Sequence, residues 1–168
     1  MKRTLCEGKF IRLMADGPWE YAERVNDAGV VCVVAIDQGH VILVEEYRPP
    51  VAAPVISLPA GLVDRGRPGE TQESDAEAAL RELREETGYT ARRIEEVARG
   101  LISAGMTNEK VTFFLAQDLE AGEASPDTGE NITVHRVRLT QVRAWLAERH
   151  ARGAEIDPKI FAGLYFAG

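Results

Sequence analysis

The residues best suited to chemistry lie in one stretch, Glu73-Ser74-Asp75-Ala76-Glu77-Ala78-Ala79-Leu80-Arg81-Glu82-Leu83-Arg84-Glu85-Glu86-Thr87-Gly88-Tyr89. Glu82, Glu85 and Glu86 stand at i, i+3 and i+4, so on a helix their carboxylates share one face. Like charges that close weaken a helix unless a cation sits among them. Carboxylate oxygens are hard ligands that suit Mg²⁺ or Mn²⁺, ions that keep waters and bridge to substrate phosphates. Taken alone, a run reading Arg-Glu-Leu-Arg-Glu-Glu equally fits a solvated face laced with salt bridges.

The helix that must hold these groups has its own signals. Ser74 is placed to cap the first backbone donors, with Glu77 three residues on as in a capping box. Ala76, Ala79, Leu80 and Leu83 recur at helical spacing, and Gly88 falls where a left-handed C-terminal cap is expected.

Ahead of the helix, residues 9–25 read as a hairpin turning at Ala15-Asp16-Gly17-Pro18. A second hairpin runs from the β-branched stretch Gly29–Ile36 through Asp37-Gln38-Gly39 to His40–Val44. Val55–Leu58 is a further short strand, and residues 64–73 are a polar loop. Beyond the helix, Val97–Ile102, Val111–Ala116 and Ile132–Leu139 read as strands, with a polar loop over 121–131. Gln141–Arg152 and Lys159–Phe166 read as closing helices. Strands joined by hairpins and interspersed with helices predict a mixed-sheet α/β/α sandwich rather than a parallel doubly wound fold.

At 168 residues the chain fits one domain with a core of its own. A net charge of −7 argues against nonspecific binding to nucleic acid or to an anionic membrane surface. No window approaches the apolar length of a membrane span, and the N-terminus has no apolar signal core, so a cytoplasmic location is expected. Cys6 and Cys32 form no CxxC pair, which points away from a zinc site or a disulfide framework. Cys32, inside Val30-Val31-Cys32-Val33-Val34, reads as a small buried hydrophobe.

The catalytic stretch resembles the Nudix box, GX5EX7REUXEEXGU, with U a bulky apolar residue. From Glu73 onward every fixed position matches, through Arg81-Glu82, Leu83, Glu85-Glu86 and Gly88 to Tyr89. Gly61, in Leu58-Pro59-Ala60-Gly61-Leu62, resembles the box glycine, but eleven residues separate it from Glu73 where the pattern has five. The loop therefore carries an insertion of Arg65 to Glu70 or close to it, and Glu70 is a rival for the first box glutamate.

This resemblance implies a Nudix fold with an N-terminal β-hairpin extension, residues 1–28 in dimer contact and 61–89 as the box. It implies metal ligation by Glu82, Glu85 and Glu86 with the Ala60 carbonyl, and an Arg81 that bridges to Glu73 and steadies the helix. Two or three Mg²⁺ ions would bind a diphosphate and lower the pKa of an attacking water.

Further segments resemble the ADP-sugar pyrophosphatase branch: Trp19-Glu20 with Arg24, Glu46-Tyr47-Arg48-Pro49-Pro50, and Ser103-Ala104-Gly105-Met106-Thr107-Asn108-Glu109. By that resemblance Arg24 and Arg48 hold the diphosphate and Trp19 stacks on the base, with Met106 and Glu109 also at the substrate. Arginine matches phosphate in bidentate fashion, and an indole face suits a purine. Read from residue type alone, each arginine also fits a surface ion pair, and Trp19 a core or interface aromatic. The general base implied is Glu130, on a loop before the last strand, with Glu85 as the rival.

The expected substrate is a nucleotide sugar, ADP-ribose first, cleaved to AMP and ribose 5-phosphate by a homodimer. Ala104 stands where ADP-ribose enzymes commonly carry proline, which keeps GDP-mannose and other nucleotide sugars open. A Nudix-fold sensor that binds without cleaving is the alternative from another class. The intact box speaks against it.

Overall fold

The computed structural model describes residues 1–26, 28–64, 72–126, 129 and 131–168. Arg65 to Glu70 and Glu130 lie outside the described residues, so the loop insertion, the Glu70 alternative and the Glu130 assignment have no structural description here.

The N-terminal segment is a three-stranded antiparallel sheet of β1 (Arg3–Glu7), β2 (Ile11–Asp16) and β3 (Trp19–Arg24). The expected hairpin is β2–β3, turning at Gly17-Pro18 with Gly17 at positive φ. The extra strand β1 is exposed throughout and has no apolar rhythm, so nothing in its pattern marks it as a strand.

The main sheet is built on β4 (Val30–Asp37) and β5 (His40–Arg48), joined at Gln38-Gly39, both at positive φ as a two-residue hairpin turn requires. The sheet continues with β6 (Ala53–Ser57), β7 (Ala60–Leu62), β8 (Tyr89–Leu101), β9 (Lys110–Ala121), β10 (Thr133–Arg138) and β11 (Glu155–Ile156). Its order is β11-β6-β5-β4-β9-β8, with β10 on β5 and β7 on β4. β4–β9 and β6–β11 are parallel, and the other pairs are antiparallel. The mixed sheet is as expected.

Burial explains why β4 is apolar without alternation. Val31, Val33 and Ala35 share a core with Ala78, Ala79 and Leu83 of α1 (Asp75–Thr87). Cys32 and Val34 face the opposite core, with Val142 and Leu146 of α2 (Val142–Ala151) and Ile160 of α3 (Lys159–Phe166). A strand covered on both faces reads as a continuous apolar run. Burial also pushes the Cys32 thiol up to about 12, which leaves it an inert packing group.

Three departures from the sequence reading have physical causes. β8 begins at Tyr89, eight residues before the apolar stretch Val97–Ile102, because it is an edge strand held by its ladder to β9 rather than by burial. β7 and β11 are too short to carry a pattern. On α1 the buried apolar residues are Ala78, Ala79 and Leu83, with Leu80 only half-buried. No helix among the described residues is long and apolar enough to cross a membrane.

Candidate active site

The catalytic helix is fixed at both ends. Ser74 Oγ accepts from the Glu77 amide at 3.2 Å, and the Glu77 carboxylate accepts from the Ser74 amide at 2.8 Å, a complete capping box. Gly88 closes the helix at φ 76°, donating to the Arg84 carbonyl at 2.8 Å. No other residue fits there. A Cβ on Gly88 would meet the Gly122 carbonyl oxygen at 2.6 Å and the Ala124 nitrogen at 2.8 Å, besides the strained φ. Leu83, fully buried against β4, contributes about 2 kcal/mol to seating the helix.

From that base the acidic face is organised by one guanidinium. Arg81 Nε and Nη2 donate to the two Glu73 carboxylate oxygens at 2.8 and 3.0 Å. Its Nη1 donates to Glu82 at 2.8 Å and to Glu85 at 3.0 Å, and Nη2 also reaches the Leu62 carbonyl at 2.9 Å. Two of the three box carboxylates, Glu82 and Glu85, thus share the Arg81 guanidinium. Hydrogen bonds from Arg81, reinforced by the Asp64 amide, hold the Glu73 carboxyl below its ordinary range, and the same acids raise Arg81.

Glu86 is buried and accepts from the Ala60 amide at 3.1 Å, which links the helix to β7. Gly61, next in that strand, leaves room for Glu82: a Cβ there would overlap the Glu82 carboxylate carbon and both its oxygens. Ala60, Gly61, Glu82 and Glu86 therefore meet at one wall of an open cleft of about 840 Å³.

Arg24, Arg48 and Arg81 line the same cleft. Arg24 is paired with Glu109 at 2.6 Å and Arg48 with Glu46 at 2.9 Å, so each both holds an ion pair and faces the cleft. Arg24 is carried there because β3 is stitched to the 103–109 loop. The Ala22 amide donates to the Met106 carbonyl at 2.8 Å, and Asn108 donates to Glu23 at 2.9 Å.

Trp19 and Met106 are not brought into this cleft. Trp19, 61% exposed, faces a separate cavity with Tyr21, Ala104 and Asn108, and Met106 is 68% exposed. The alternative of a core aromatic is excluded by that exposure. Among the cleft residues that carried no sequence signal are Asp157 and Lys159, which arrive from the segment that opens α3. Asp157-Pro158 reads as a helix start, but nothing local tells which surface that helix end faces.

Among the described residues no three His, Cys, Asp or Glu side chains are gathered as a ready cation cage, since Arg81 stands between Glu82 and Glu85. The donor set still fits a hard divalent cation. Glu73, Glu82 and Glu85 all pair with Arg81, and Glu82 and Glu86 line the cleft beside Ala60, a set of carboxylate and carbonyl oxygens that suits such an ion.

The NUDIX domain profile matches residues 25–160, a span that contains this helix, β7 and the start of α3. The chain belongs to the Nudix hydrolase family. It is a pyrophosphatase of that family, a hydrolase of phosphoric anhydrides. The ADP-ribose pyrophosphatase of Bacillus subtilis is 32% identical over 146 residues, covering 83% of this chain and 76% of that protein. The mouse ADP-sugar pyrophosphatase is 34% identical over 133 residues, 73% of this chain and 56% of the mouse protein. The methanol dehydrogenase activator of Bacillus methanolicus is 30% identical over 143 residues, 81% of this chain and 74% of that protein. Among solved structures, an ADP compounds hydrolase superposes with a TM-score of 0.76 at 22% identity, covering 99% of this Nudix chain and 89% of the other. That likeness concerns the fold.

Proposed function

We propose that this Nudix hydrolase cleaves the diphosphate of a nucleoside diphosphate sugar in a Mg²⁺-dependent reaction, with ADP-ribose giving AMP and ribose 5-phosphate. The observation that carries the reading is the cleft in which Arg24 and Arg48 face Ala60, Glu82 and Glu86. Arginines supply bidentate donors for phosphate oxygens, and the acids opposite supply hard ligands. ADP-ribose pyrophosphatase and ADP-sugar pyrophosphatase among the relatives support the same substrate class.

In this reading Arg24 and Arg48 bind and orient the diphosphate so that one phosphorus faces the acidic wall. Glu82, Glu85 and Glu86, with the Ala60 carbonyl, would hold the divalent cations. When bound, those cations neutralise phosphate charge and acidify water. Arg81 keeps Glu82 and Glu85 in place from behind, through its fork on Glu73. Glu130 takes the proton from the attacking water, and Glu85 is the second candidate for that role.

In this reading Trp19 reaches a base when the N-terminal sheet crosses to a second copy, because in its own chain it lines a cavity separate from the carboxylate cleft. A homodimer also covers the exposed Phe10, Ile11 and Leu13 of that sheet. We place the enzyme in the cytoplasm, consistent with its two free cysteines.

The test is turnover on ADP-ribose, GDP-mannose and diadenosine polyphosphates with and without Mg²⁺, with light scattering on the same sample. The expected result is Mg²⁺-dependent release of AMP from ADP-ribose, at a kcat/KM above the other substrates, by a dimer. Equal rates on all three would overturn the substrate assignment. A monomer at micromolar concentration would overturn the exchanged-hairpin reading.

A further inference from the structure

Lys159 occupies a junction in the molecule. It lines the catalytic cleft with Glu82, Glu86 and Arg48, and it also lines an adjoining chamber of about 630 Å³ walled largely by Val55, Ile102, Val111 and Phe113. Arg24 stands at another boundary of the same cleft, where the cleft meets the polar cavity that holds Asn108 and Glu109. The cleft therefore has a cation at each of two exits. Only the Arg24 exit was expected from the sequence.

The lysine is held on a rigid base. The Asp157 amide donates to the Ile56 carbonyl at 2.9 Å, and β11 pairs Ile156 with Ile56 of β6. Ile160 is fully buried, and the missing Cβ of Gly163 lets α3 approach Leu58 and Val34. Asp157 Oδ1 accepts from the Lys159 amide at 2.9 Å, while its Oδ2 pairs with the Lys159 ammonium. One carboxylate thus fixes both the helix start and the direction of the side chain. The Lys159 side chain is 26% exposed and lines both the cleft and the chamber.

An ammonium that lines a diphosphate cleft together with box carboxylates, pinned by its own Asp157, is placed to meet a phosphate. We infer that Lys159 is a substrate-binding residue that donates to a phosphate oxygen at the chamber end of the cleft, and that Asp157 is its positioning residue. This rests on the diphosphate reading above but does not depend on which nucleotide sugar is turned over. An ammonium provides a point charge with rotatable donors, so it follows a phosphate oxygen without demanding the fixed geometry of a guanidinium.

The competing role is purely structural, an Asp157–Lys159 pair that only steadies the start of α3. The two roles separate in Lys159→Met, Lys159→Arg and Asp157→Asn, the last of which keeps a capping oxygen while removing its charge. For each variant we would measure the melting temperature, kcat and KM on ADP-ribose, and calorimetric affinity for inorganic pyrophosphate. Lys159→Met should weaken pyrophosphate and raise KM by about 10- to 100-fold, the cost of one hydrogen bond to a charged group, with kcat within about threefold. Lys159→Arg should recover most of the affinity, and Asp157→Asn should lose a few-fold with little change in melting.

If Lys159→Met left pyrophosphate affinity and KM within twofold of wild type, the assignment would be wrong, whatever happened to melting. Wild-type enzyme that bound no pyrophosphate would overturn it as well. Lys159-dependent pyrophosphate binding without turnover of ADP-ribose would instead sink the substrate reading and leave Lys159 in place.

Discussion

Gly61→Ala should inactivate the enzyme while leaving it folded. An alanine Cβ at this position overlaps the Glu82 carboxylate carbon and both oxygens. Restoring an ordinary nonbonded separation of about 3.5 Å requires the carboxylate to retreat by roughly 1.5 Å. Gly61 is not at positive φ, so the backbone accepts alanine, and its loss of freedom in the unfolded chain even favours the variant by about 0.4–1 kcal/mol. The retreat breaks the Glu82 contact with Arg81 at 2.8 Å and moves the acid off the cleft wall it shares with Glu86. Displacements near 1 Å at a reacting centre cost on the order of 10²-fold, so kcat/KM should fall about 10²- to 10³-fold. The assay is steady-state kinetics across a Mg²⁺ titration, with thermal melting on the same preparations. Melting should stay within about 4 °C of wild type, equivalent to some 1 kcal/mol in a chain of this size. A variant that kept more than a third of wild-type kcat/KM at saturating Mg²⁺ would show that Glu82 need not stand where Gly61 lets it stand.

Glu86→Gln should fold with unchanged or higher melting temperature, since it keeps an acceptor for the Ala60 amide and removes a charge, yet lose nearly all activity; wild-type turnover at saturating Mg²⁺ would remove Glu86 from the ligand set. Glu130→Gln should lower kcat roughly 10²- to 10⁴-fold with metal affinity intact, and a drop below about threefold would return the base role to Glu85. The Glu73 carboxyl is held down mainly by hydrogen bonds from Arg81, so its stabilising contribution is present above the ordinary carboxylate range and is lost as pH falls through the depressed value. The melting difference between wild type and Glu73→Gln should therefore be flat above about pH 5 and close below the usual glutamate pKa of roughly 4.3; a difference unchanged at pH 2.5 would contradict the cause assigned to the shift.

What was legible in the sequence is what local rules determine. The helix was readable because its cap, its apolar spacing and its Gly88 stop all act within a few residues of one another. The β4–β5 hairpin was readable for the same reason, through Gln38-Gly39 and the β-branched run before it. β1 and the first half of β8 were not, because each is held by its ladder to the strand that follows and keeps its side chains mostly in solvent, so neither carries an apolar rhythm. The site divides along the same line. Arg81's fork on Glu73 spans eight residues and follows from the box resemblance, whereas Lys159 reaches the cleft only through β11 pairing with β6 and α3 packing on Leu58. No pattern within Asp157-Pro158-Lys159 encodes that destination.

This division bears on how the enzyme binds an anion despite a net charge of −7. The cation that the catalytic helix brings to the cleft is Arg81, and it is paired with Glu73, Glu82 and Glu85. In the proposed reading, the described cations that meet phosphate come from β3, the end of β5 and the start of α3, as Arg24, Arg48 and Lys159. Each is held by its own acid, Glu109, Glu46 or Asp157, which keeps the cation in place before substrate arrives and limits its attraction to stray anions. A phosphate that binds must compete with those acids, so it gains most when it engages several cations at once, as a diphosphate does and a single phosphate does not. On that proposal, discrimination for a diphosphate follows from spreading the cations over three elements of one fold, and the box alone does not specify it. Removing Glu46 or Glu109 should raise affinity for inorganic phosphate more than for pyrophosphate, and the reverse order would refute this account.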